Sequence, residues 1–147
     1  IEEIAIETNP SWLKVCNIEK PKTGLESKFS YKLTAAMSIY GKDTSDLDTY
    51  SDDICFDENM NNIRDKVRVI PNDQLSNTQS LISIKDGSRD VKNKHDLSDK
   101  IENNILETKI VNKSVSLLSE TKSNQISRIL NAPEENKVNA LVDCLVS

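Results

Sequence analysis

The chain has 147 residues, of which 29% are charged and 36% hydrophobic, and carries a net charge of −5. That length suits a single domain that buries about two thirds of the surface its unfolded chain exposes, so no disulfide or metal staple is required. The acidic balance disfavours a nucleic-acid partner, no apolar run approaches the roughly eighteen residues of a membrane span, and the N-terminus has no basic-then-apolar leader, so the chain reads as soluble and cytoplasmic.

The chain opens at Ile1 directly in a strand pattern, which reads as a piece of a longer protein. Ile4 and Ile6 point one way and Glu3, Ala5 and Glu7 the other, the alternation of a half-buried strand that Asn9-Pro10 ends. Ser11 to Glu19 has no clean period and reads as a connecting segment packed over a sheet through Trp12, Leu13, Val15 and Ile18.

The stretch Lys20 to Gly41 holds the clearest helix signal. Thr23 and Glu26 have the spacing of a capping box, which starts a helix near Gly24. Phe29, Leu33, Ala36, Met37 and Tyr40 then fall on one face at 3.6 residues per turn, the core face, and Gly41 closes the run. On the other side Lys20, Lys22 and Lys28 surround a helix N-terminus, whose unpaired amides and dipole favour an anion such as a carboxylate or phosphate. Taken on chemistry alone, three lysines read as a solvated face more often than as a site.

Further along, Ser45 and Asp48 can cap a short helix bearing Leu47, Tyr50 and Ile54. Phe56, Met60 and Ile63 mark a second, with Asp57 and Glu58 at its start. Val67, Val69 and Ile70 form a strand stopped by Pro71. Thr78 to Lys85 alternates as a third strand with Ile82 and Ile84 inward, Asp86-Gly87 supplies a tight hairpin turn, and Arg89 to Lys92 returns as a polar edge. After His95, Ser98 can cap a helix carrying Ile101, Ile105, Leu106, Ile110 and Val111, with Val115, Leu117 and Leu118 continuing its apolar character. Ile126, Ile129 and Leu130 stripe a further helix, and Val138, Leu141, Val142 and Leu145 the last, with Pro133 setting its start. The class is α+β: a small antiparallel or mixed sheet of about four strands, helices packed on one face, and a helical C-terminal part.

Cys16, Cys55 and Cys144 are odd in number and widely spaced, which excludes a disulfide framework and a CxxC motif. Cys55, beside Ile54 and Phe56, and Cys144, among Leu141, Val142 and Leu145, read as small core residues. Cys16 stays open. With one histidine, His95, a histidine-based zinc site is not expected.

The ten residues Pro21-Lys22-Thr23-Gly24-Leu25-Glu26-Ser27-Lys28-Phe29-Ser30 resemble the Pro-x-Thr-Gly-Leu-Glu-Ala-Lys-Phe-Ser signature of the MmgE/PrpD family. That family includes 2-methylcitrate dehydratase, cis-aconitate decarboxylase and iminodisuccinate epimerase. The order of elements is similar as well, and the resemblance implies that residues 1–147 are the family's second domain, a lid over an all-helical domain of the same chain, in a homodimer. The implied chemistry is metal-independent and needs no cofactor: a proton is removed or shuffled next to a carboxylate of a small polycarboxylic acid. The resemblance makes Lys28 the catalytic candidate, with Lys22 and Ser30 weaker substrate-binding candidates; Lys20, as part of the lysine cluster, and His95, as the one imidazole, are added on their chemistry. One departure stands out. The family's Gly-x-Pro-x-x-Pro-Leu-Ser loop after the last strand is reduced here to Lys94-His95-Asp96-Leu97-Ser98, which keeps only Leu-Ser. A non-catalytic small-anion-binding or protein-interaction module that retains the fold is therefore the alternative expectation.

Overall fold

The computed structural model describes residues 1–133 and 137–146, and the chain divides into two units, Ile1–Asp99 and Lys100–Ser147. The first unit holds a four-stranded mixed sheet in the order β2-β1-β3-β4, built from β1 (Glu3–Thr8), β2 (Val67–Pro71), β3 (Gln79–Asp86) and β4 (Arg89–Asp96). β1 runs parallel to β2 and antiparallel to β3, and β3 pairs antiparallel with β4. A parallel neighbour requires a crossover. It is supplied by α1 (Gly24–Ser27), α2 (Tyr31–Ile39) and α3 (Glu58–Arg64), all lying between β1 and β2 in sequence. The α+β class expected above is the observed one.

The period-two pattern of β1 is realised as read: Ile4, Ile6 and Thr8 are buried and alternate with half-buried Glu3, Ala5 and Glu7. Ile4 lies between Val67 and Ile84, and Ile6 between Val69 and Ile82, so each β1 isoleucine has an aliphatic on either side. Ile4, Ile6 and Val67 form one apolar cluster, covered by Tyr31, Ala35 and Ile63. Leu33, Ala36, Met37, Cys55 and Met60 form a second, with Tyr50, Ile54 and Ile63 packed on it. Ile63 belongs to the periphery of both, which ties α3 to the sheet and to α2. Beyond β1 the cover runs out, and Ile82, expected to point inward, is 39% exposed.

Several expectations need correction. The single helix from Gly24 to Tyr40 is two helices, interrupted at Lys28–Ser30. Two interactions favour the break over continuation. Ser30 adopts an extended backbone and its hydroxyl oxygen accepts from the Leu33 N–H at 3.2 Å, capping α2 afresh. The same stretch forms a β-bridge with Asn17, in which Ile18 N–H donates to Phe29 C=O and Tyr31 N–H to Cys16 C=O. Leu33, Ala36 and Met37 are fully buried as expected, whereas Phe29 falls in the break and stays 37% exposed. The helix expected from Ser45 does not form. Asp43 and Asp46 bind the backbone amides two residues on, at Ser45 and Asp48, and these local turns compete with helix; only a 3-10 turn at Asp53–Cys55 follows. α3 does form, with Asp57 accepting from the Asn59 and Met60 amides, but Phe56 lies outside it and is exposed.

The hairpin turn is Gly87-Ser88, one residue later than expected, because Asp86 remains in the ladder opposite Arg89; Gly87 takes φ +57°. β4 continues past Lys92 to Asp96, so His95 is in the edge strand and not in a loop. The extension ends on a clamp. The Asp96 carboxylate accepts from the Ser98 N–H (2.9 Å), the Ser98 hydroxyl (2.7 Å) and the Gln79 amide (2.8 Å), and these donors hold its carboxyl well below the usual carboxylate range.

The second unit contains α4 (Asn103–Leu118), α5 (Glu120–Asn131) and α6 (Lys137–Val146). Ser98 does not cap α4, since its hydroxyl is spent on Asp96 and the cap position falls to Glu102. α4 absorbs both apolar clusters read from Ile105 to Leu118, and Ser119, at φ +81°, separates it from α5. The expected role of Pro133 in starting α6 concerns 134–136, outside the described residues. No residue of α4 or α6 is buried, and α5 buries only Ser123. Leu106, Ile110, Val111, Ile126 and Leu130 line a groove of about 390 Å³. Among the described residues no helix is long and apolar enough to cross a membrane.

Two outcomes are expected. Leu33→Ala should cost about 2–5 kcal/mol in denaturant unfolding, while Phe56→Ala, at an exposed site, should stay within about 0.5 kcal/mol; equal effects would show that the core lies elsewhere. Asp96 has a depressed value in the folded state, so its contribution is complete above the ordinary aspartate value of about 3.9 and is lost as pH falls below that toward the folded value. An NMR titration of the Asp96 carboxyl should therefore find its midpoint well below 3.9, and a midpoint at the ordinary value would mean that the clamp does not form.

Candidate functional site

The lysine-bearing turn is built on Gly24. An added Cβ there would lie 2.2 Å from the Tyr50 carbonyl oxygen, so the backbones of α1 and the Tyr50–Asp52 segment approach as only glycine permits. The Gly24 N–H donates to the Asp52 carboxylate at 2.7 Å, and the Cys55 thiol lies 3.4 Å from the Thr23 carbonyl. Burial, with Asp52 and Glu26 nearby, pushes the Cys55 thiol up, which fits a structural role and not a nucleophile's. Cys16 and Cys144 are half-buried, the Cys144 thiol lying 3.7 Å from Gln125 Oε1.

The start of α1 does not offer the open amides expected of it. Thr23 Oγ1 accepts from the Glu26 N–H at 3.2 Å, and the Glu26 carboxylate accepts from the Lys22 N–H at 2.7 Å, one residue before the position a capping box would use. With Asp52 on Gly24 and Glu26 on Lys22, two of the chain's own carboxylates already occupy this terminus. α1 is also only four residues long. Any external anion is therefore left to the side-chain cations.

Those cations are exposed. Among the described residues no carboxylate lies within ion-pair distance of Lys20, Lys22 or Lys28, although other basic residues of the unit are paired, as in Lys32 with Glu19 and Arg68 with Glu3. Lys28 occupies the C-cap of α1, with its N–H on the Leu25 and Glu26 carbonyls, and its ammonium stands 5.6 Å from the centroid of the Tyr50 ring. The Tyr50 hydroxyl donates to the Thr44 carbonyl at 2.8 Å, and burial together with the negative Asp43 pushes the phenol up.

Ser30 is fully buried and spends its oxygen on Leu33, so it shapes the turn from beneath. His95 is exposed on β4, opposite Ser80, and Ser80 pairs in turn with Thr8, which bonds Tyr31. It thus stands two strand spacings, about 10 Å, from the residue that touches Tyr31, and shares no element with the lysines. Tyr50 and Asp52 were missed by the sequence reading, which gave Tyr50 only a core role. No local pattern carries them, because Asp52 meets Gly24 across 28 positions of chain. Among the described residues no group of three or more His, Cys, Asp or Glu side chains is placed to hold a metal.

Compared with known proteins, the chain matches no family model and no curated protein. The likeness to the MmgE/PrpD signature therefore stands on Pro21–Ser30 and the order of elements.

The close approach at Gly24 is testable. Gly24→Ala should cost roughly 1–3 kcal/mol and shift the amide signals of Tyr50 to Asp52; an unchanged stability would mean that the two backbones do not meet.

Proposed function

We propose that this chain is the lid domain of an MmgE/PrpD-type enzyme acting on small polycarboxylic acids. An all-helical domain of the same protein would supply the rest of the site, in a cytoplasmic homodimer. The observation that carries the reading is Lys28. The lysine at the signature position stands on a turn locked by backbone contacts, and its cation is exposed and unmatched by a carboxylate among the described residues. A charge-assisted hydrogen bond to a substrate carboxylate is worth roughly 1.5–3 kcal/mol. Proton removal from the neighbouring carbon builds negative charge on that carboxylate, so a fixed ammonium there also lowers the barrier. Lys22 and Lys20 add positive field at the same turn, and His95 would contribute a hydrogen-bonding ring from the edge strand.

The alternative, a non-catalytic anion-binding or interaction module, draws on a specific feature. The segment after β4 lacks the family's glycine and prolines and is tied down instead by Asp96 and Ser98.

The readings separate on Lys28. In the full-length protein, Lys28→Ala should lower kcat/KM about tenfold or more, and Lys28→Arg should restore it only in part because a planar fork replaces a compact ammonium. The isolated domain should turn over nothing. An unchanged kcat/KM in a folded Lys28→Ala variant would make the lysine a solvated surface residue and remove the main support for the lid.

A further inference from the structure

We propose that Tyr50 is a positioning residue for Lys28, a role that rests on reading Lys28 as a carboxylate-binding cation. A lysine ammonium sits on a flexible four-carbon stem and wanders unless something holds it. A carboxylate neighbour would hold it but would also neutralise it and compete with an acidic substrate. An aromatic face avoids that conflict: the negative face of the ring attracts the cation and leaves its N–H donors for another oxygen. Tyr50 presents such a ring, 5.6 Å from the Lys28 ammonium.

The ring is itself fixed. Its hydroxyl is tied to the Thr44 carbonyl, and the side chain packs on the cluster of Leu33, Ala36, Met37, Cys55 and Met60. Its backbone carbonyl abuts Gly24, and Asp52, two residues on, holds the Gly24 N–H. The ring and the backbone that carries Lys28 are thus joined through the same turn. Because the hydroxyl is already engaged, Tyr50 acts through Lys28 and not on substrate.

The test uses the full-length protein with Tyr50→Phe and Tyr50→Leu, reading the Lys28 ε-methylene protons by NMR and citrate affinity by titration. In the wild type and in Tyr50→Phe, which keeps the ring face, the methylenes should be displaced by the ring current and citrate should bind with similar affinity. Tyr50→Leu should abolish the displacement and weaken citrate binding about two- to fivefold. A residue that only filled the core would leave the Lys28 signals unmoved. A wild-type displacement that is absent, or that survives Tyr50→Leu, while citrate still binds, overturns the role of Tyr50; the wild-type measurement decides this even if the leucine variant fails to fold. A normal displacement without citrate binding overturns the carboxylate reading of Lys28 instead.

Discussion

The first unit depends on one close approach, that of the Tyr50 carbonyl to the bare Cα of Gly24. Around it gather the Asp52 carboxylate on the Gly24 amide, the Cys55 thiol beside the Thr23 carbonyl and the Tyr50 ring under the Lys28 ammonium. Each contact is small. Together they join the turn before α2 to the segment before α3, and both helices then close on the cluster centred on Leu33 and Met37. The sheet receives that assembly through Ile63 and Tyr31, which reach the Ile4–Ile6–Val67 cluster. The crossover needed by the parallel β1–β2 pair is thus also the body that carries the lysines.

What was legible in the sequence follows the range of the interactions. β1, β2 and the start of α3 were read close to their observed bounds because alternation, a terminating proline and an acidic cap are local signals, although Phe56 fell outside α3. The break at Ser30 was not legible. Periodicity ran unbroken through it, and the decision lay with a bridge to Asn17, a contact made only in the fold. The lost helix after Ser45 is a case of side-chain chemistry prevailing over period: leucine, tyrosine and isoleucine sat at helical spacing, but aspartates bound the nearby amides first. At the candidate site Lys28 could be named from its signature position. Its aromatic neighbour, and the carboxylates that fill the helix terminus, could not.

The two units differ in how their apolar residues are used. In the first, Ile4, Leu33 and Met37 are almost wholly enclosed. In the second, the helical stripes read from the sequence are present, yet the only buried residue of α4, α5 and α6 among those described is a serine. Among the described residues of these helices no aliphatic side chain is enclosed, so the hydrophobic contribution per residue is smaller there than in the first unit. Its amphipathic pattern was legible because helical period is a local signal, whereas burial is not set by that pattern.

Electrostatics gives the lysine turn its character. The chain has 24 acidic and 19 basic residues, so an approaching polyanion meets a repulsive average field and needs a local positive patch to bind. Lys20, Lys22 and Lys28 are the cations at this turn, and of the nearby carboxylates Glu19 pairs with Lys32 while Glu26 and Asp52 accept from the Lys22 and Gly24 amides and keep their charge. Glu26 and Asp52 thus lie against backbone amides of the turn and not within ion-pair distance of its ammonium groups. The self-capping at the start of α1 thus leaves an external anion to the three ammonium groups, which have no carboxylate within ion-pair distance among the described residues.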